Sequence, residues 1–292
     1  MRLLFPETRW VVAVLWLAAC AGSALHAQVT SVPADASANI TAVVQSNPAG
    51  IRPDHIWTMD YVHLVLGDTG AILTAPTRWD QAQWLDAGLA VTGVVATAAF
   101  DAKIRDHVQA NRTPSKDRFM QRWQDIDTFY ILAGFEVWGE LGGDVRAKNV
   151  AMDGLAASII ASGIITPTLK LVVGRERPTT SSDPFSFKPF SGNYSFPSGH
   201  ATQAFVVATV IAEHYPIWWV QGLAYGSAAM VGYARIEQNA HWASDVVAGS
   251  LIGWSVARAV VHRNDATPDP RKLSWTPYAN RNEVGVVFSK SY

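Results

Sequence analysis

The sequence predicts an all-α fold, a bundle of about six helices with its functional site where helices meet at one end. Three observations lead there. Of 292 residues, 49% are hydrophobic and 16% charged, enough apolar side chains for a large core in one domain or at most two. Six apolar segments, at about 82–100, 127–143, 150–173, 200–214, 217–234 and 242–262, are each too long for a strand and are mostly rich in Ala, Gly, Val and Leu. Polar and backbone-special residues gather at the ends of these segments, as in Phe196-Pro197-Ser198-Gly199-His200, which is set directly against the apolar run that follows. Lys and Arg total 23 against 24 Asp and Glu, a formal charge of -1, so no global field attracts nucleic acid, and any anion must be met by local charge.

The elements follow in order. Residues 1–27 read as a secretory signal: Arg2 and Arg9, the apolar stretch Trp10–Ala19, then small residues up to a cleavage point after Ala27. Leu17-Ala18-Ala19-Cys20 equally reads as a lipoprotein signal ending at residue 19, with the single cysteine lipidated; a retained anchor is the third reading. All three place the mature chain outside the cytoplasm, in the periplasm of a bacterium. Residues 28–58, rich in Ser, Pro, Ala and Asn, form a tether or arm. The helical domain occupies 59–265. A tail, 266–292, ends in Asn282-Glu283-Val284-Gly285-Val286-Val287-Phe288, which alternates enough for a short strand.

Asp86, Glu136, Glu140, Asp153 and Glu213 fall inside the apolar segments, and charges of this kind make poor membrane spans. Six alternating spans behind a cleaved signal would also put the polar junctions in the cytoplasm. A soluble bundle is the better fit, with membrane association through a lipidated Cys20 or apolar helices as the alternative.

Three junctions carry chemistry. In Lys170-Leu171-Val172-Val173-Gly174-Arg175-Glu176-Arg177-Pro178, Lys170 and Arg177 are seven residues apart, about two helical turns, on one face of a helix that Pro178 stops. Alone this is a solvated basic helix end or an anion site. At the second junction Ser198 reads as an N-cap, Gly199 lets a ligand approach the backbone, and the first N–H groups of the helix point at an anion; a capped helix with an incidental histidine is the plainer reading. In Arg235-Ile236-Glu237-Gln238-Asn239-Ala240-His241-Trp242-Ala243-Ser244-Asp245, the spacing lets Asp245 accept the Nδ1 proton of His241 on a helix. A surface pair and half a metal site remain alternatives, although no third or fourth ligand is spaced to join it.

Together, in this order, the three stretches resemble the signature of the type 2 phosphatidic acid phosphatase and vanadium haloperoxidase superfamily: Lys, six residues, Arg-Pro; then Pro-Ser-Gly-His; then Ser-Arg, five residues, His, three residues, Asp. The match runs from Lys170 to Asp245, about 75 residues. The resemblance implies an all-α bundle and acid-histidine phosphatase chemistry without a metal or other cofactor. By the same resemblance, Lys170, Arg177 and Arg235 bind the phosphoryl oxygens with Ser198 and the Gly199 amide, His241 is the nucleophile, Asp245 its orienter and His200 the acid on the leaving oxygen. Ala234 departs from the pattern, which has Ser before the Arg, so one supporting hydroxyl is missing.

The expected function is hydrolysis of a phosphate monoester or pyrophosphate, with a lipid phosphate favoured as the substrate and partner, and with vanadate as an inhibitor. The alternatives are a vanadate-dependent haloperoxidase, with vanadate as cofactor in the same cradle, and an inactive lipoprotein binding platform. Arg175, Lys188, His214 and His262 read as surface contacts, and Trp242 as a wall of the site. The aromatic stretch between Pro178 and Pro197 is a loop packed on the bundle or a lid for an apolar tail.

Overall fold

The computed structural model describes residues 52–124, 127–265, 274–279 and 284–289. The signal and most of the arm lie outside the described residues. All six apolar segments are helical, and three more helices bring the described total to nine: α1 Met59–Leu73, α2 Gln81–Ala98, α3 Asp101–Ala110, α4 Pro114–Gln124, α5 Thr128–Gly142, α6 Val145–Val173, α7 Gly199–His214, α8 Trp218–Glu237 and α9 Ala243–Asp265. The additional helices include α3 and α4, whose charged sequences an apolar reading passes over; local signals set them, as where Pro114 opens α4 and Thr113 Oγ1 accepts from the Lys116 amide. Two strands, Ser274–Ala279 and Val284–Ser289, pair antiparallel in the tail.

Capping fixes where the helices begin. Asp80 and Gln83 form a reciprocal capping box at α2, with bonds of 2.8 and 3.0 Å. Asp127 and Asp144 accept from the amides of Phe129 and Arg146 at the starts of α5 and α6. Inside α6 the ladder widens to a π turn over Ile159–Ile165, just before Pro167, which has no N–H to donate and crowds the carbonyl four residues back. Gly174, left-handed at φ 57°, then ends α6. A Cβ there would collide with Lys188 O, so only glycine fits.

This termination corrects one expectation. Pro178 does not stop the helix, and Lys170 and Arg177 do not share a helical face. Helix α6 ends at Val173 and Arg177 lies in the following loop.

The contacts divide the described residues into two units, 69–261 and 52–68 with 262–265 and the two strands. In the second, Arg52 donates to Asp265 and Arg263 to Asp68, each at 2.8 Å. In the first, α7 packs between α6 and α8, α5 covers α6, and α3 and α4 lie on α8. Gly249 on α9 lets α9 approach the start of α7 closely, since a Cβ there would strike Ser198 O and crowd Thr202 Oγ1. At this junction backbone contact leaves no room for an added side chain.

Candidate active site

The end of α6 supplies the first cation. Lys170 is half-buried, and its Nζ donates to the carbonyls of Tyr194 at 2.6 Å and Pro197 at 2.7 Å. The ammonium thus ties the aromatic loop to the approach into α7. Past Gly174 the loop is pinned back: Lys188 N donates to Gly174 O, Phe190 N to Leu171 O, and Glu176 N to Ser186 O. Arg177 emerges exposed from this turn.

Ser198 stands at the N-cap position of α7 but does not cap it. Its backbone amide donates to Asp245 O at 2.9 Å, while its fully buried Oγ makes no hydrogen bond within the described structure. A buried hydroxyl without a partner can bond a ligand. At Gly199 a Cβ would meet only ordinary contacts, at 3.8 Å from Thr166 Cγ2 and 4.0 Å from Lys170 Cε, so the lysine stem runs directly beside the first turn. His200 follows with an open edge. Partial burial, then the charges of Arg235, His241, Lys170 and Arg177, push it down to about 4.

The end of α8 brings the third cation and the second histidine together. Asn239 is left-handed at φ 58°, and the amides of Ala240 and His241 both donate to Arg235 O, at 3.0 and 3.3 Å. The chain doubles back, placing His241 beside buried Arg235, whose Nη1 lies 3.4 Å from Gln238 Oε1. Ala234 is fully buried, so the hydroxyl missing there is not supplied by its own residue.

His241 precedes α9, so the expected helical His–Asp pair spans a turn instead. Its Nδ1 is 3.6 Å from Asp245 Oδ2. Burial outweighs the nearby carboxylate and holds His241 below the usual imidazole range, which leaves it neutral near pH 7. Asp245 is fully buried; Ser195 Oγ donates to its Oδ2 at 2.6 Å, the Trp242 amide to the same oxygen at 2.9 Å, and Arg175 Nη1 to Oδ1 at 2.6 Å. All the residues expected to bind phosphate or catalyse, Lys170, Arg177, Ser198, Gly199, His200, Arg235, His241 and Asp245, thus converge where α6, α7, α8 and α9 meet.

A model of the PAP2 superfamily matches residues 154–267, which contain every one of these side chains. Over those residues the chain is similar to the PAP2 superfamily. The lipid A 1-phosphatase of Rhizobium etli is 34% identical over 139 residues, 44% of this chain and 59% of that protein. The undecaprenyl-diphosphatase of Sulfolobus acidocaldarius is 32% identical over 110 residues, 37% of this chain and 52% of that protein. The chain spans a little over half the length of these curated relatives. A transmembrane PAP2 type phosphatidylglycerolphosphate phosphatase from Bacillus subtilis superposes with a TM-score of 0.47 at 19% identity, covering 73% of this chain and 98% of that one.

Several neighbours of the site escaped the sequence reading. Arg175 is not a surface residue: it is 2% exposed, bonded to Asp101, Ser244 and Asp245 and stacked between Phe187 and Trp242. Away from the site, at the far end of α7, His214 is likewise buried, with Nε2 2.8 Å from Asp153 Oδ2. Lys188 does sit at the surface, 2.6 Å from Glu176. Trp242 is 1% exposed and donates to Glu176 O, a packed wall behind His241. Ser195 carried no signal beyond its place three residues before Ser198.

Proposed function

We propose that this chain is a phosphatase acting on a phosphate monoester or diphosphate carried by a lipid, through a phosphohistidine. The single observation that carries the reading is the gathering of Lys170, Arg177 and Arg235 around two histidines and the unbonded Ser198 hydroxyl at the start of α7. Three fixed cations neutralise the equatorial oxygens of a phosphoryl group, and the α7 amides add donors at a helix N-terminus. Neutral His241, with Nδ1 turned to Asp245, presents Nε2 to phosphorus; the P–N bond forms as the P–O bond to the alcohol breaks. The departing oxygen takes the proton of His200. In the second step His200 removes a proton from water, whose oxygen displaces His241 and releases phosphate.

The lipid preference rests on the surroundings. Phe185, Phe187, Phe190 and Tyr194 are exposed on the loop tied to Lys170, where they suit an apolar tail. Two helices, Val145–Val173 and Ala243–Asp265, are long and apolar enough to cross a membrane, and the bent pair α2–α3 adds a third if it counts as one span. Large apolar residues also face outward: Tyr130, Leu141 and Trp218 are each at least 79% exposed. A membrane-associated bundle therefore replaces the soluble one as the reading, with the site on the extracytoplasmic side. Mature-protein mass from the native host distinguishes removal of residues 1–27 from lipidation at Cys20.

Phosphate release from lipid A, an isoprenyl diphosphate, phosphatidylglycerolphosphate and a soluble alkyl phosphate tests the activity. Turnover of at least one, lost in His241→Ala, retained in EDTA and inhibited by orthovanadate, is the expected result. Activity that persists in His241→Ala, or that vanishes with chelation and returns with a divalent cation, overturns it.

A further inference from the structure

Arg175 and Asp101 lie outside the phosphate cradle, yet both are buried, and while Arg175 bonds Asp245, which faces His241, Asp101 bonds Arg175 and Ser244. Asp101, at 0% exposure, opens α3, and lies upstream of the matched residues 154–267. Its Oδ1 accepts from the Ser244 amide at 2.9 Å, so a side chain from α3 caps the start of α9, and its Oδ2 accepts from Ser244 Oγ and from Arg175 Nη2 at 2.7 Å. Arg175 uses its whole fork: Nε and Nη2 donate to Pro184 O, and Nη1 donates to Ser244 Oγ at 2.7 Å and Asp245 Oδ1 at 2.6 Å. Phe187 and Trp242 hold the guanidinium between them, each ring centroid 5.5 Å from Cζ.

We propose that Asp101 and Arg175 are positioning residues for His241, which they act on through Asp245, in the phosphatase reading of this site. A guanidinium alone against Asp245 would neutralise the carboxylate that His241 needs. Asp101 supplies the second negative charge. The three groups together then keep one net negative charge facing the imidazole, which is what stabilises a proton on Nδ1 once Nε2 is bonded to phosphorus. The fork also fixes the direction of Asp245, with no freedom to rotate toward Lys170 or Arg235. The other charged groups around His241 are cations or titrating rings: Lys170, Arg175 and Arg177 from the end of α6 and its loop, His200 from α7 and Arg235 from α8, while Arg105 of α3 lies over Trp242. Glu176 in the same loop is paired to Lys188. Asp101 is the one carboxylate besides Asp245 bonded into this cluster among the described residues.

The test follows the His241 ring by 15N NMR in ¹⁵N-histidine-labelled, detergent-solubilised full chain, with its signals identified by their loss in His241→Gln. Asp101→Asn keeps the shape and removes the charge, so Arg175 acts undivided on Asp245 and the His241 midpoint falls by about one pH unit. Asp101→Asn/Arg175→Gln removes one charge of each sign and returns the midpoint close to the wild-type value. Arg175→Lys keeps the charge but loses the fork; the midpoint stays, while kcat on p-nitrophenyl phosphate drops at least about tenfold at unchanged KM. A His241 midpoint in Asp101→Asn equal to wild type overturns the proposal, as does full kcat in Arg175→Lys. If Asp101→Asn fails to fold, the double variant decides by the same midpoint against Arg175→Gln alone. The NMR arm needs no substrate, so a wild-type chain that hydrolyses nothing sinks the phosphatase reading while the midpoint still judges Asp101.

Discussion

His241 Nδ1 stands 3.6 Å from Asp245 Oδ2 because that oxygen is already held by Ser195 Oγ and the Trp242 amide. The carboxylate is fixed by the scaffold first and meets the imidazole second. On the proposed mechanism this suits a nucleophile that must swing little and keep its proton on Nδ1 as Nε2 bonds phosphorus and the ring becomes a cation.

The two histidines then separate by leaving group. On the proposed mechanism His241→Ala removes the nucleophile, so hydrolysis should collapse for every ester. On the same mechanism His200→Ala removes a proton donor, an expected effect of about 10² to 10⁴ in rate on an alkyl phosphate, and far less on p-nitrophenyl phosphate, whose phenolate departs unaided. Single-turnover rates on both esters measure it. Equal losses on the two substrates would show that His200 is not the leaving-group acid.

Binding of a tetrahedral dianion such as sulfate should take up a proton. His200, pushed down to about 4 by partial burial and by the cations around it, is neutral at pH 6 in the free protein. A dianion among Lys170, Arg177 and Arg235 cancels the repulsion and draws a proton onto the ring. Protonated His200 favours the bound state, so affinity for sulfate, which unlike inorganic phosphate stays a dianion through this range, rises as pH falls from about 6 toward about 4. Calorimetry at pH 6 in buffers of different ionisation enthalpy counts the proton; an uptake that persists in His200→Ala would assign it elsewhere.

The sequence made the helices and the cradle legible for different reasons. Long apolar runs such as 150–173 can only be helices of a bundle, and Lys170, Ser198, Arg235 and His241 occur at spacings that a motif preserves. What stayed hidden depends on tertiary contact. Gly174 ends α6 in a left-handed turn, and the Lys188 O that would strike a Cβ there is a contact no local rule predicts; Pro178, taken as the stop signal, is four residues too late. Asp101 reaches Ser244 across 143 positions, and Arg175 looks like any basic residue near a helix end until its two carboxylates are seen. α3 and α4 carry too many charges for an apolar pattern, since they lie over α8 rather than inside the bundle.

Glu237 predicts an unusual pH dependence of stability. It is 1% exposed at the end of α8; burial, then the facing Asp117, raise it to about 7, while Arg112 Nε lies 3.8 Å away. A carboxyl raised in the fold stabilises fully below its unfolded value near 4.5 and loses that contribution as pH rises through about 7. Glu237→Gln removes the charge that must otherwise be buried. The variant should melt higher than wild type at pH 8, by about 1 kcal/mol of stability, and equally at pH 5. A difference of the same size at both pH values would show that titration of Glu237 plays no part.

Gly249→Ala tests whether backbone contact, rather than side-chain packing, sets the site. The added Cβ would strike Ser198 O and press on Thr202 Oγ1, and neither the carbonyl nor the start of α7 can rotate aside, since Ser198 N is bonded to Asp245 O at 2.9 Å and Ser198 O accepts from Thr202 N at 3.0 Å. Helix α9 must move from α7. That shift costs about 1–3 kcal/mol of stability as overpacking does, and it separates Asp245, on α9, from Ser198 and His200, on α7. A displacement of about 1 Å in an assembled site is worth on the order of 10² in rate, so kcat should fall far more than folding does at 25 °C. Gly226→Ala on α8, where a Cβ meets nothing within 4 Å, provides the matched control and should change neither. A Gly249→Ala chain that melts lower yet keeps its kcat would mean that α7 and α9 hold the site with slack, and that the cradle's geometry comes from its side chains instead.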